Sequence, residues 1–250
     1  MDDLERKDRF FIGWRALNPW RAVLPALAIA IGAAAAFAAA GFTQAYFTDA
    51  QTSPVFTPDT SISGIYQADP YPMLRAAADK DHPEGRTVLL AGFGKQGAQK
   101  DMENFSGKAA NVSGFYIKRG SIDMLIYDNA KAADDVPSDA ASPAKPEGRW
   151  RIGGEICDGK CTAGAMTPGK GLAHKGCANL CISGGLPPLL VTEMPVKGSN
   201  FLLLADEKGG PLASGTWERL VARPVILEGE VESRGDLLVL KTDVTKSQFP

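Results

Sequence analysis

The sequence predicts a mainly β chain in which a single N-terminal transmembrane helix is followed by two small β-barrel modules. Three observations predict it. The 21 residues 22–42, near the N-terminus, carry no charge. Beyond it, short apolar runs are separated by Gly, Pro, Asn and Asp, the punctuation of strands and turns. A strand followed by a hairpin then occurs twice, on either side of a stretch with almost no bulky apolar side chain, residues 129–148.

At about 1.5 Å rise per residue the uncharged run is long enough to cross a bilayer, and a transmembrane helix is expected over 22–46. Pro25 falls in its expected first turn, where a missing N–H is tolerated. Trp14 and Trp20 before the run and Tyr46 after it suit the two interfacial belts. Arg6, Lys7, Arg9, Arg15 and Arg21 precede the span, and no Lys or Arg follows until Arg75. The positive-inside bias therefore predicts a cytoplasmic segment over 1–21 and an external remainder, placing the chain in a bacterial inner membrane with its C-terminal region in the periplasm. A cleaved signal peptide is the rival, since Ala38-Ala39-Ala40 resembles a cleavage site; the run is longer than a signal core and its leader is long and mixed in charge. Ala28, Gly32, Ala36 and Ala40 recur every four residues and predict a flat face for packing against integral membrane subunits. The rest of the helix would face membrane lipid.

The external part divides by composition. Residues 47–63 are polar and carry two prolines, as a linker does. A first β-module is expected over 64–130, a second linker over 131–148, and a second module over 149–250. Gly114 to Asp128 aligns without a gap on Gly229 to Asp243, each a strand, an Arg-Gly turn and a second strand. Upstream, Thr87–Gly97 matches Asn200–Gly210. The second copy reads as the fuller one, adding strands at 149–156 and 189–192 and a helix between them. Five short strands and one helix predict an OB-like barrel.

The chemistry-bearing residues cluster. All four cysteines lie between Cys157 and Cys181, with one of the two histidines, His174, among them. Leu172–Ile182 has helical spacing and stops at Gly184-Gly185 with Pro187-Pro188 beyond. A helix there would put His174, Cys177 and Cys181 on one face, with Cys161 folding back after the Asp158-Gly159 turn. Two readings stand open. Cys161, His174, Cys177 and Cys181 could be the ligands of a structural zinc site, with Cys157 as alternative ligand. Alternatively, two disulfides could run from the 157–161 segment to the helix, since Cys177 and Cys181 one turn apart are poorly placed to bond each other.

The second module resembles an uncharacterised family of exported bacterial OB-like proteins. The likeness rests on Asp158-x2-Cys161, His174-x2-Cys177-Ala178-x2-Cys181 and Gly185-x-Pro187, and covers about residues 150–245. The family pattern has an aliphatic residue where this chain has Cys157. The resemblance implies an exported, non-catalytic domain, sometimes associated with membrane redox systems.

Other signals carry less. Formal net charge is −2, which argues against a nucleic-acid binder. Gly92-Phe-Gly94-Lys95-Gln-Gly97 follows an apolar strand as a dinucleotide fingerprint would, but no further βαβ unit follows, and a glycine-rich turn is expected instead. His82 reads as a loop histidine. The expected function is that of a non-enzymatic accessory or assembly subunit of a membrane complex, respiratory or otherwise electron-transferring, docking a periplasmic protein partner. The rival of a different class is a metal- or thiol-handling protein acting on a client through its cysteines. An oligosaccharide-binding OB domain is a weaker third reading, lacking evident exposed aromatics.

Overall fold

The computed structural model describes residues 19–48, 53–78, 80–83, 85–137, 140 and 143–250. The charged leader with Trp14 and Arg15 lies outside the described residues, as do the side chains of Trp20, Arg21 and Tyr46. The chain forms two units, the first ending at Ala50 and the second running from Gln51.

Helix α1, Pro19–Thr48, is the described part of the first unit. Its segment Val23–Gly41 has mean hydropathy 2.2 and is long and apolar enough to cross a membrane. Pro25 lies inside the helix, not in its first turn, because the helix already begins at Pro19. Ala28, Gly32, Ala36 and Ala40 are all exposed along it, and Gly32 has nothing within 4 Å of where a Cβ would stand.

The second unit holds two closed five-stranded barrels. The first comprises β1 (Val55–Gln67), β2 (Met73–Ala76), β3 (Arg86–Ala91), β4 (Ala109–Arg119) and β5 (Ile122–Ala132), in the order β1-β2-β3-β5-β4. The second comprises β6 (Lys145–Asp158), β7 (Pro188–Val196), β8 (Ser199–Ala205), β9 (Pro224–Arg234) and β10 (Leu237–Thr242). Read from β6, its order is β6-β7-β8-β10-β9, the same as the first. In both, only the third and fifth strands pair parallel. These are OB-like barrels. The repeat extends to atomic detail. A Cβ on Gly114 would stand 2.1 Å from Ile126 O, and one on Gly229 would stand 2.1 Å from Lys241 O. The sequence alignment pairs Gly114 with Gly229 and Ile126 with Lys241, so both barrels close the same strand contact where only glycine fits.

Two expectations change. Residues 55–63 form the start of β1 and not a tether; that half of the strand is mostly exposed and interrupted at Asp59, whose φ of 50 kinks it, so no apolar alternation marks it. The first barrel is also as complete as the second, because β1 and β2 match β6 and β7. In the same way β6 starts at Lys145, inside the stretch read as the second linker.

The barrels share a core. Val88 and Leu90 of β3, Leu202 and Leu204 of β8, and Leu238 and Leu240 of β10 point into their own barrels. Their neighbours Leu89, Ala91, Phe201, Leu203, Leu237 and Val239 belong to one cluster, with Met73, Met124, Cys157, Cys161 and Cys181, that lies between the barrels. Successive residues face opposite sides of a strand, so these strands are apolar on both faces because both are buried. The seam also carries hydrogen bonds. Leu212 N–H donates to Tyr71 Oη (3.0 Å), Thr87 N–H to Asp236 Oδ1 (2.7 Å), and Arg119 Nη1 to Thr162 O (2.7 Å).

Candidate metal centre

The site is built where β6 ends. Asp158, fully buried, caps the turn that follows: its Oδ1 accepts the Cys161 N–H at 2.9 Å, and its Oδ2 lies 2.9 Å from His174 Nε2. Aspartate commonly caps a local backbone donor in this way. The chain makes one wide turn, Cys161–Ala165, and returns through a short 3₁₀ turn, Leu172–His174, into helix α3, Lys175–Ser183. Cys177 and Cys181 are four residues apart on α3 and share a face. Ala178 and Ile182 on the next face enter the second barrel's core. The helix stops where expected: Gly184 N–H donates to Leu180 O and Gly185, at φ +95, to Ile182 O.

Cys161, Cys177 and Cys181 converge, their sulfurs all within 4.8 Å of one another. Cys161 and Cys181 are buried and Cys177 is half-buried. His174 does not join this trio. It precedes α3, and its ring turns toward Asp158, making a second group, Asp158, Cys161 and His174, that shares only Cys161 with the first. Cys157 stands apart as well. It is still within β6, two residues after Glu155 and so on the same strand face, and its thiol lies 3.2 Å from Glu155 Oε1. All four cysteines are free, so the two-disulfide expectation is corrected: the Cys157 thiol lies against Glu155, and the other three sulfurs gather without a covalent bond between them.

The first barrel supplies the far wall. The Gly92–Gly97 loop follows β3 and lies on the C-terminal end of α3. Gly97 N–H donates to Gly184 O (2.9 Å), and Gln99 Nε2 of the short helix α2 (Gln99–Met102) donates to Gly185 O (2.6 Å). Lys160 Nζ, buried, donates to Gly92 O (2.8 Å) and Gly94 O (2.9 Å). The glycines thus serve close packing. A Cβ on Gly97 would stand 2.2 Å from Gly185 O, and one on Gly184 would stand 1.9 Å from Lys95 O. This loop brings Lys95 Nζ to 2.7 Å from Cys177 Sγ and 3.8 Å from Cys181 Sγ.

Charge is distributed unevenly over the sulfurs. The Cys161 thiol is pushed up, chiefly because it donates to Cys181 and also because it is buried. Accepting that bond, with Lys95 nearby, lowers Cys181 to about 7 in spite of burial. Burial pushes the Cys157 thiol up. Burial likewise lowers Lys160, while the contact with Cys177 raises Lys95. Chemically, three soft donors of which one readily ionises, with a cation alongside, can take a soft or borderline metal ion.

His82 is a seam residue: a ring nitrogen lies within 4.8 Å of carboxylate oxygens of Asp123 and Asp236. Asp123 is engaged by Tyr116 Oη (2.6 Å) and Lys118 Nζ (2.9 Å). Sequence reasoning missed Lys95 and Glu155 as partners of the thiols, and Asp158 as the partner of His174 and of the Cys161 N–H. Comparison with protein families, with curated proteins and with solved structures finds no match to this chain.

Proposed function

We propose that this chain is a membrane-anchored periplasmic accessory or assembly subunit of a membrane complex of the electron-transfer kind, its two-barrel head stiffened by a structural zinc ion. The observation that carries this reading is the placement of the three sulfurs. They lie at the barrel seam, two of the three are buried, and a first-barrel lysine walls them. Cross-linking a turn and a helix there stiffens the joint between two small barrels, which suits a docking body. Cys161, Cys177 and Cys181 would hold the ion. Bound zinc supplies bonds that replace missing core in so small a domain.

The anchor argument rests on charge and shape. Basic residues crowd the N-terminal side of the span and are missing for more than thirty residues after Arg21, which favours a cytoplasmic N-terminus and external barrels. The small-residue face of Ala28, Gly32, Ala36 and Ala40 lets other integral helices approach closely, and lipid covers the remainder. Purification of natively expressed protein in a gentle detergent, with mass spectrometry of what co-elutes, tests the reading. Other integral membrane subunits should co-purify in fixed proportion. Recovery only as a lone monomer contradicts it.

One observation favours the rival, a thiol- or metal-handling protein: the lowered Cys181 thiol beside Lys95. Alkylation of the native protein separates the two. Rapid labelling of two or more cysteines without denaturant supports the handler; labelling of none, or of Cys177 only after the metal is removed, supports the structural role.

A further inference from the structure

Lys95 and Cys177 come from different barrels, yet their side-chain tips meet more closely than a hydrogen bond to sulfur requires. The Nζ–Sγ separation is 2.7 Å. That sits at the short end of the N–H···O range, and sulfur has a larger radius than oxygen. A single oxygen atom inserted between the two, bonded to each, spans about this distance.

The pair is also held in place. Lys95 sits in a loop closed by the Gly92 N–H to Gln96 O bond (2.8 Å) and docked by Gly97 N–H on Gly184 O (2.9 Å). Lys160 clamps the same loop from beneath through Gly92 O and Gly94 O. Cys177 is fixed on α3. Lys95 is exposed and Cys177 is half-buried, so a small oxidant reaches them, whereas Cys157, Cys161 and Cys181 are buried.

We propose that Lys95 and Cys177 are a redox modification site, joined by an S–O–N bridge that covalently links the two barrels when dioxygen is present. The balance is simple. The Cys177 thiolate, the Lys95 ammonium and one dioxygen give S–O–NH and one water. The O–O bond breaks, one S–O and one O–N bond form, and two of the three ammonium hydrogens leave in the water. Sulfur and nitrogen each give up two electrons, and dioxygen accepts four. Reduction takes four electrons: two equivalents of a dithiol, each oxidised to its disulfide, return thiol, amine and water. The bridge and a metal ion compete for Cys177, so oxidation is a route by which the sulfur cluster would lose one of its ligands. The bridge does not depend on the metal reading.

The test is intact and peptide mass spectrometry on the full chain in detergent, metal-stripped with chelator and then exposed to air or kept under reductant. In air the chain should become about 14 Da heavier, one oxygen gained and two hydrogens lost. The peptides carrying Lys95 and Cys177 should be recovered joined, and dithiothreitol should separate them. Lys95→Arg and Cys177→Ser should abolish the joined species and Cys157→Ala should keep it. Oxygen found on Cys177 alone, a loss of two hydrogens with no oxygen gained, or an unmodified chain after prolonged air exposure would each overturn the proposal. Each of these three overturning results is read on the wild-type chain, so a variant that folds badly does not decide the matter.

Discussion

Replacing Gly184 with alanine should destabilise the protein, against what local propensity predicts. Gly184 has φ −77 and ψ 0, a conformation alanine adopts freely. By chain entropy alone, Gly→Ala at such a position stabilises by about 0.4–1 kcal/mol. The seam reverses the sign. The new Cβ would stand 1.9 Å from Lys95 O, and ordinary contact begins at 3.4 Å, so the first-barrel loop must retreat by 3.4 − 1.9 = 1.5 Å. That movement stretches the Gly97 N–H to Gly184 O bond and the Gln99 to Gly185 O bond. Overpacking costs about 1–3 kcal/mol, and each hydrogen bond lost between these partly exposed groups about 0.5–1.5 kcal/mol. The expected net loss is about 2–5 kcal/mol, read as a lower urea midpoint at unchanged slope. Gly176→Ala is the control. Gly176 lies in the same helix with nothing within 4 Å of its Cβ position, so alanine there should stabilise slightly. Equal midpoints for the two variants, or a stabilised Gly184→Ala, would refute the seam.

Three further outcomes are expected. Tyr71→Phe removes only a hydroxyl but leaves the Leu212 N–H without its acceptor across the seam; it should lower stability by about 1–3 kcal/mol in chemical denaturation. His174→Ala should cost about 2–4 kcal/mol in chelator, because its ring is buried on Asp158, and should leave metal stoichiometry intact in an elemental assay. Loss of metal with unchanged metal-free stability would show that His174 is a ligand instead. The metal-free protein should also show a thiol-dependent stability maximum. Cys181 sits at about 7, below the ordinary thiol value of about 8.5, so the unfolded chain holds more protons between these and stability rises with pH there. Above about 8.5 the sign reverses, because Cys157 and Cys161 stay protonated only in the folded state. Urea midpoints measured across this range, in wild type and with Cys181→Ser, check both arms.

Much of the fold was legible in the sequence because its signals are local. The uncharged run gave α1. The Arg119-Gly120 and Arg234-Gly235 turns gave both hairpins, and Gly184-Gly185 gave the end of α3. What was not legible depends on contacts between segments distant in sequence. The exposed half of β1 carries no apolar alternation, so it read as a tether. The seam had a signal that went unread: Val88-Leu-Leu-Ala91, Phe201-Leu-Leu-Leu204 and Leu237-Leu-Val-Leu240 do not alternate, as strands buried on both faces do not. The cysteines share one neighbourhood, as their clustering in the sequence predicts, but which of them meet depends on Asp158. It claims His174 and turns Cys161 toward α3, while Cys157 stays in its strand beside Glu155. Lys95 could not be found by spacing, since it arrives from the other barrel, 82 residues away from Cys177.

In the proposed reading Cys161, Cys177 and Cys181 act together at the joint between the barrels, and Cys157 takes no part. Elemental analysis of the full chain purified under reductant, compared across the four single Cys→Ser variants, addresses it most directly. One equivalent of zinc is expected in wild type and in Cys157→Ser, and its loss in each of the other three. A metal-free wild type, or a Cys157→Ser variant that loses metal along with the rest, would contradict it.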